Sequence, residues 1–341
     1  MKKVLDVLSK KNLSPPPIWL MRQAGRYLPE YRELRAKAGS FWTMAMTPEL
    51  ASEITLQPIR RFGFDAAIVF SDILVVPFAL GLPITFEEGE GPRLPAVNET
   101  AHLIVDTEAW QRSLAPVYEA LALARGNLDE DMTLLGFAGA PWTLATYLAA
   151  GRGGDDQRAA KLWGYRDPQS FAALLDILVD CVAFHLIQQL ESGADAVQIF
   201  DSWASGLPRS AFEAWVVRPT KRIVEKVRTV HPDAKIIGFP RAATLQGYDR
   251  YARETGVDAI SVDTSMPMQW AADVLGGRCV VQGNLDPLAL IAGGDALQRA
   301  TEEILEATAE IPFIFNLGHG ILPETPIAHV EQLLTRVRSR R

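Results

Sequence analysis

The chain has 341 residues, 48% hydrophobic and 22% charged, with 34 Lys plus Arg against 41 Asp plus Glu and a formal net charge of −7. That size suits either two domains or one large α/β barrel. The negative balance gives no electrostatic reason to expect general nucleic-acid or membrane binding, so an anionic ligand must meet a local basic patch.

At the start, MKKVLDVLSKKN spaces Val4, Leu5, Val7 and Leu8 like one face of a short helix and lacks the apolar core of a secretory signal. The first short apolar run follows at residues 17–21 (PIWLM). Thr47, Pro48 and Glu49 then offer an N-cap, a first-position proline and a first-turn acid, which predicts a helix through Leu50, Ile54 and Leu56. Further runs come at 66–70 (AAIVF), 133–137 (TLLGF), 195–200 (DAVQIF), 235–239 (KIIGF), 259–263 (AISVD), 279–283 (CVVQG) and 313–317 (FIFNL). Between them, residues 174–190 read as a long helix with Gly193 as its C-cap. Residues 86–100 (FEEGEGPRLPAVNET) and 151–156 (GRGGDD) read as surface loops, either ordinary connections or lids. No apolar run approaches the roughly 20 residues of a membrane-spanning helix.

Eight apolar runs, each followed by room for a helix, predict parallel strands covered on both faces and a single-domain (β/α)₈ TIM barrel over 1–341. A doubly wound open sheet is the alternative, weakened by the lack of a GxGxxG fingerprint after the first strand.

A barrel of this kind works at the carboxyl ends of its strands. Those ends carry Arg22 and Arg26; Ser71 and Asp72; the segment 136–142 leading to Tyr147; Asp201 and Ser202; Pro240 and Arg241; Asp263 and Thr264; Asn284; and Gly318, His319 and Gly320. Arg22, Arg26 and Arg35 suit several carboxylates or a phosphate. The competing interpretation is a solvated basic helix face, to which Arg32 and Glu33 belong. A carboxylate at Asp72 needs donors or a cation if buried, and helix capping or pairing with an arginine serves that as well as catalysis does. The glycines beside His319 are expected to let the chain turn tightly and leave the imidazole exposed. A glycine-rich turn there also suits phosphate, so it does not by itself name the ligand.

Metal chemistry reads poorly. Cys181 lies mid-helix, Cys279 starts a strand at the wrong end, and His102, His185, His231 and His329 have no ligand spacing. With only these two cysteines, both in apolar stretches, no disulfide framework is expected and a reducing cytoplasm fits.

MRQAGRYLPEYRELR, LQPIRRFGFDAAIVFSDILVVPFALG, GFAGAPWTLATY, IFDSW, GNLDP and NLGHGI, in this order, resemble the uroporphyrinogen decarboxylase family along nearly the whole chain. The resemblance implies a homodimeric (β/α)₈ barrel that removes the four acetate carboxyl groups of uroporphyrinogen III to give coproporphyrinogen III, without metal, flavin or prosthetic group. Carried onto this sequence, the family's substrate contacts fall on Arg22, Gln23, Ala24, Gly25 and Arg26, then on Asp72, Tyr147, Ser202 and His319. Arg35 and Phe200 match secondary contacts. The resemblance assigns Asp72 to the ring nitrogens; Arg22 is the family's often-proposed acid, with Tyr147 or a water as alternatives. Two places depart from the family pattern: Asp263 is followed by Thr264 where many relatives have Trp, and GRGGDD has no close match. The rival readings are a corrinoid-linked methyltransferase of the same barrel superfamily and a non-catalytic tetrapyrrole-binding barrel.

Overall fold

The computed structural model describes residues 2–87 and 91–340. Its strands are β1 (Ala66–Ile68), β2 (Thr85–Glu87), β3 (Gly91–Arg93), β4 (Thr133–Gly139), β5 (Ala196–Asp201), β6 (Lys235–Pro240), β7 (Ala259–Ser261), β8 (Val280–Leu285) and β9 (Phe313–Leu317). Seven of them form one sheet in the order β1-β4-β5-β6-β7-β8-β9, every neighbouring pair parallel. The order follows the chain without reversal, so the switch point of a doubly wound sheet is absent among the described strands.

The first apolar run, residues 17–21, departs from the expectation of a strand. Ile18 makes one parallel bridge to Phe315 of β9. Trp19 N donates to Phe315 O at 3.3 Å and Phe315 N to Pro17 O at 2.9 Å, while on the other side Asp65 N donates to Ile18 O at 2.9 Å. The physical reason is that ladder donors are missing or diverted. Pro15, Pro16 and Pro17 have no N–H to give. The next amides go to side chains: Ile18 N to Asp65 Oδ2 at 2.9 Å, Leu20 N to Gln23 Oε1 at 3.0 Å, and Met21 N to Asn316 Oδ1 at 2.9 Å.

Side chains nevertheless alternate along this run as along the strands. Trp19 and Met21 join Ala66, Ile68, Leu135, Ala196, Ile237, Phe239, Ala259, Val280 and Ile314 in an inner core, while Ile18, Leu20, Ala67, Val69, Leu134, Val197, Ile199 and Ile236 belong to the outer core beneath the helices. Helix Lys3–Leu8 supplies Val4, Val7 and Leu8 to the inner core. It is fastened to the amino-terminal edge of the sheet by Lys3 with Asp65 at 2.8 Å and by Lys2 with Asp195.

One polar layer crosses this interior. Gln282 Oε1 accepts from Trp19 Nε1 at 3.0 Å, and its Nε2 donates to Gln198 Oε1 at 3.1 Å and Ser261 Oγ at 3.2 Å. All four residues are fully buried, and the network satisfies the Trp19 indole, the Gln282 amide and the Gln198 carbonyl oxygen where water does not reach, leaving Gln198 Nε2 without a partner.

Helix Pro48–Phe62 starts on Pro48 as expected, but the Thr47 side chain makes no cap hydrogen bond; Gly63 ends the helix in the left-handed conformation, φ 61°. The expected helix over 174–190 spans Pro168–Glu191, and the chain leaves it at Ser192 with Gly193 at φ 109°. By length and composition alone this helix meets the measure of a membrane span that the sequence reading did not find, yet 56% of its most apolar window is buried in the protein. Within the expected loop 86–100, β2 and β3 form an antiparallel hairpin, while residues 88–90 lie outside the described residues. The loop 151–156 is stitched to that hairpin by a bridge between Arg93 and Arg152 and by Leu94 N donating to Gly151 O at 3.0 Å.

Gln282→Leu strands the Trp19 indole N–H and the Gln198 carbonyl oxygen in the interior, so it should lower unfolding free energy by about 2–4 kcal/mol. Chemical denaturation compared with wild type checks this, with Trp19→Phe, which removes one bond, expected to cost less.

Candidate active site

The carboxyl ends of the strands open over an aromatic floor. Phe137, Phe200 and Phe239 point inward from the ends of β4, β5 and β6 and meet edge to face, with centroids 5.6 Å apart for Phe137 and Phe200 and 6.0 Å for Phe200 and Phe239. Phe137 and Phe200 are half-buried, so the floor is accessible from above.

Arg22 stands at the rim in the left-handed region, φ 60°, an uncommon conformation for a residue with a Cβ and one that concentrates at functional sites. Its side chain is exposed and its stem passes over Gly320, where a Cβ would come within 2.3 Å of Arg22 Cδ. Gly318 is the more constrained, since a Cβ there would lie 2.3 Å from the Thr264 backbone N, whereas the Arg22 side chain over Gly320 can move aside. Neither glycine has a positive φ. Their role is close approach, not the tight turn expected from the sequence, and the imidazole between them is half-buried rather than exposed.

Four of the expected residues share one electrostatic environment. Asp72 is half-buried just past β1, with Oδ1 accepting from Leu74 N at 2.8 Å. Burial raises its pKa above the ordinary carboxylate value, opposed by the Leu74 amide and by the positive charge of Arg22. The Tyr147 phenol is pushed up by burial and by Asp72, with Trp203 and Arg22 opposing, so it stays protonated at neutral pH. His319 is lowered to about 4 by burial and by Arg241 and Arg22, with Asp263 pulling the other way. The imidazole is therefore neutral at physiological pH.

The other expected residues are placed as follows. Gln23 is fully buried and its amide is committed to backbone, accepting from Leu20 N and donating to Ala66 O at 2.9 Å. Its side chain is a strut between the first run and β1, which leaves the main chain for any ligand contact. Ala24 packs on the core, and at Gly25 a Cβ would meet Arg22 O at 3.0 Å. Arg26 is exposed and Arg35 half-buried; both lower the Tyr31 hydroxyl against the larger effect of its burial. Nη1 of Arg35 is buried without a partner. Ser202 follows β5, with its carbonyl 3.5 Å from Arg241 Nη1. Arg60, Arg61 and Arg250 are paired with Glu53, Glu30 and Glu213, whereas Arg22, Arg26, Arg35 and Arg241 have no ion pair among the described residues.

Arg241 stands among the strand-end residues named from the sequence, without a role assigned to it. It comes directly after Pro240, which follows the run 235–239, a position visible in the sequence, but no neighbouring motif singled it out. The cysteines are remote from this end: Cys181 is buried in helix Pro168–Glu191, and Cys279, its thiol pushed up to about 12 mainly by burial, precedes β8.

A sequence profile described as "Uroporphyrinogen decarboxylase (URO-D)" matches residues 1–340. The chain belongs to the uroporphyrinogen decarboxylase family. Curated proteins named uroporphyrinogen decarboxylase from Brucella anthropi and Chelativorans sp. are each 53% identical, over 337 and 340 residues, covering 99% and 100% of this chain and 98% and 99% of theirs. Among solved structures, a methyltransferase from Methanosarcina mazei superposes with a TM-score of 0.82 at 21% identity, covering 98% of this chain and 97% of its own. A B12-independent methionine synthase from Shewanella sp. gives 0.57 at 10% identity, covering 94% and 95%. These two likenesses concern the fold alone.

Carbon-bound proton resonances of His319 should keep their neutral-form positions through the ordinary histidine range and reach their titration midpoint only at about pH 4 in an NMR titration. Arg22→Met removes a nearby cation, which favours the imidazolium, and should move that midpoint upward. A wild-type midpoint near 6.5 would contradict this account of the site.

Proposed function

We propose that this chain is a cofactor-independent carboxy-lyase that removes the four acetate carboxyl groups of uroporphyrinogen III, giving coproporphyrinogen III and carbon dioxide. The observation that carries the reading is the pairing of a rim of unpaired guanidinium groups with one buried-side carboxylate, Asp72, above an aromatic floor. A polyanionic macrocycle with an apolar ring face and cationic intermediates needs those three features together.

Losing carbon dioxide from a pyrrole acetate leaves an electron pair that requires a sink. Protonation of the ring carbon next to the one bearing the acetate creates one, because the ring becomes a cationic, iminium-like system whose charge is shared by the acetate-bearing carbon. Carbon dioxide departs and the pair moves towards the ring as an exocyclic methylene forms. That methylene takes a second proton to become methyl, and the first proton leaves the ring carbon to restore the pyrrole, so one proton is consumed for each carbon dioxide released. Asp72 is suited to hold the pyrrole N–H groups and to stabilise the positive charge as it develops. Its raised pKa shows how poorly solvated the carboxylate is, which strengthens its interaction with a cation brought beside it.

Arg22 and Arg26 are assigned to the substrate's carboxylates, with Arg35 contributing the unpartnered Nη1, since guanidinium groups bind carboxylates in a fork. A neutral His319 adds a hydrogen-bond donor without a further charge. Tyr147, protonated and in the field of both Arg22 and Asp72, fits a donor to a carboxylate or a route for the proton. Ser202 and the main chain of Gln23, Ala24 and Gly25 complete the substrate contacts, and Phe200 underlies the ring. The absence of any resident metal or prosthetic group is part of this proposal.

We further infer that residues 17–21 act as the eighth stave of a (β/α)₈ barrel. Support comes from the hydrogen bonds of Ile18 on one side to Asp65 and of Pro17 and Trp19 on the other to Phe315, and from the inward alternation of Trp19 and Met21. A cytoplasmic homodimer is carried over from the family resemblance.

Anaerobic incubation with uroporphyrinogen, followed by oxidation and separation of products by carboxyl number, should show eight-carboxyl substrate converted to the four-carboxyl product. Persistence of the eight-carboxyl species with active control enzyme present would refute the assignment. Asp72→Asn should lower kcat by at least about a hundredfold with KM within a few-fold, the pattern of a group acting mainly in the transition state. Near-normal turnover in that variant would remove Asp72 from the mechanism.

A further inference from the structure

We infer that Arg241 is an additional substrate-binding residue, a carboxylate-gripping guanidinium supplied from the end of β6 opposite the Arg22 segment. This rests on the assignment of the site to an acidic tetrapyrrole. Three observations carry it.

The main chain of Arg241 is fixed from several directions. Arg241 N donates to Asp201 O at 3.1 Å and Phe239 O at 3.0 Å. The following residue, Ala242, is held in the left-handed region, φ 57°, by donating its N–H to Asp263 Oδ2 at 2.8 Å. Asp263 is itself immobilised, with Oδ2 also accepting from the Tyr248 hydroxyl at 2.7 Å and Oδ1 from the amide and hydroxyl of Ser265 at 2.9 and 2.6 Å. A turn this heavily constrained presents its side chain at a fixed place, which reduces the ordering cost of binding.

The head group, in contrast, is left free. It makes only a 3.5 Å contact to the Ser202 carbonyl and no ion pair among the described residues, although the residue is half-buried. Asp263, the acid beside its turn, is already engaged by three hydrogen-bond partners. A guanidinium that is part-desolvated and unneutralised at a binding face is stabilised when an anion arrives.

The direction is also defined. Arg241 lies close enough to His319 to oppose its protonation, as Arg22 does from the other strand end. Both arginines thus act on one imidazole, and a ligand carboxylate beside His319 is within the influence of both. Eight carboxylates on the substrate are more than Arg22, Arg26 and Arg35 can each take as a fork, so another cation has a task.

The test is Arg241→Met, with Arg241→Lys as the charge-retaining comparison, each assayed anaerobically beside wild type on uroporphyrinogen. Loss of one charged hydrogen-bonding contact predicts a KM raised about ten- to hundredfold with kcat within about threefold, and Arg241→Lys falling between. Equilibrium binding of coproporphyrinogen to the same three proteins, by isothermal titration, should weaken in the same order. Unchanged KM and binding in Arg241→Met overturn the inference, as does a fall in kcat and thermal stability with KM unmoved. If Arg241→Met does not fold, Arg241→Lys with wild-type KM and product binding overturns it equally. An inactive wild-type protein would instead sink the decarboxylase reading, and the titrations would still decide whether Arg241 binds the tetrapyrrole.

Discussion

Much of this protein depends on how residues 17–21 are attached to the sheet. The prolines ahead of the run remove donors, and the carboxylate of Asp65 and the amides of Gln23 and Asn316 take the peptide N–H groups that a neighbouring strand would otherwise receive. Side chains standing in for a ladder hold the segment at its sides without dictating its continuation. The chain can therefore leave the sheet abruptly at Arg22, in a left-handed conformation that a regular strand would forbid. Gln23 then reaches back to β1 through Ala66 O, so the residue beside the strained one pays for its position with two buried hydrogen bonds. Asn316 performs the same service from β9, three residues before His319. Strain at the rim and support beneath it are parts of one arrangement.

The electrostatics follow from that geometry. Overall the chain carries seven more acidic than basic charges, yet the rim holds arginines that no acid among the described residues neutralises. Leaving like charges unpaired near one another is costly for the free protein. Two features reduce the cost: His319 stays neutral rather than adding a charge, and Arg22 and Arg26 are exposed enough for water to solvate them. Asp72 runs against the trend. Its carboxylate is desolvated and opposed only in part by Arg22 and the Leu74 amide, which suits a group whose proper counter-charge arrives with the reaction.

What the sequence disclosed depended on whether the signal was local. Run 313–317 coincides with β9, and the strand ends carrying Asp72, Ser202 and His319 were readable because periodicity and breakers are contiguous in sequence. The fate of residues 17–21 was not, since it turns on Asp65 and Asn316, the latter 295 residues away from its partner Met21. The glycines beside His319 were noticed for the wrong reason: their sequence suggests conformational freedom, but the need is for space beneath Arg22 and Thr264, which only the packed structure reveals. Gln23 looked like one member of a binding motif, and its committed amide shows that a motif can be shared between binding and support. Arg241 lacked a flanking signature, and what fixes its turn and meets its head group comes from Asp201, Asp263 and Ser202, at the ends of other strands and just beyond them.

The two segments that looked like loops also bear on the site, through Tyr147. Helix Pro141–Ala150 carries this phenol and ends at Gly151, φ 68°, where any Cβ would press within 2.7 Å of Leu94 O. Leu94 follows β3 and donates to Gly151 O, while Val97 N donates to Leu148 O at 2.8 Å, so the hairpin strand runs on into contacts with the end of the helix. Beyond the turn, Gly153 comes so near the Tyr147 ring that a Cβ would stand 3.2 Å from Cε1. Asp156 and Gln157 follow in the left-handed region, φ 52° and 64°, which bends the chain sharply into the next helix, Arg158–Arg166. The departure of GRGGDD from the family pattern thus falls in a segment that touches a residue of the site. Its effect is to set the space around the Tyr147 hydroxyl, whereas the charges that act on that hydroxyl come from Asp72 and Arg22 and are independent of the loop. The packing itself demands a small residue at 153, where the loop closes on the Tyr147 ring.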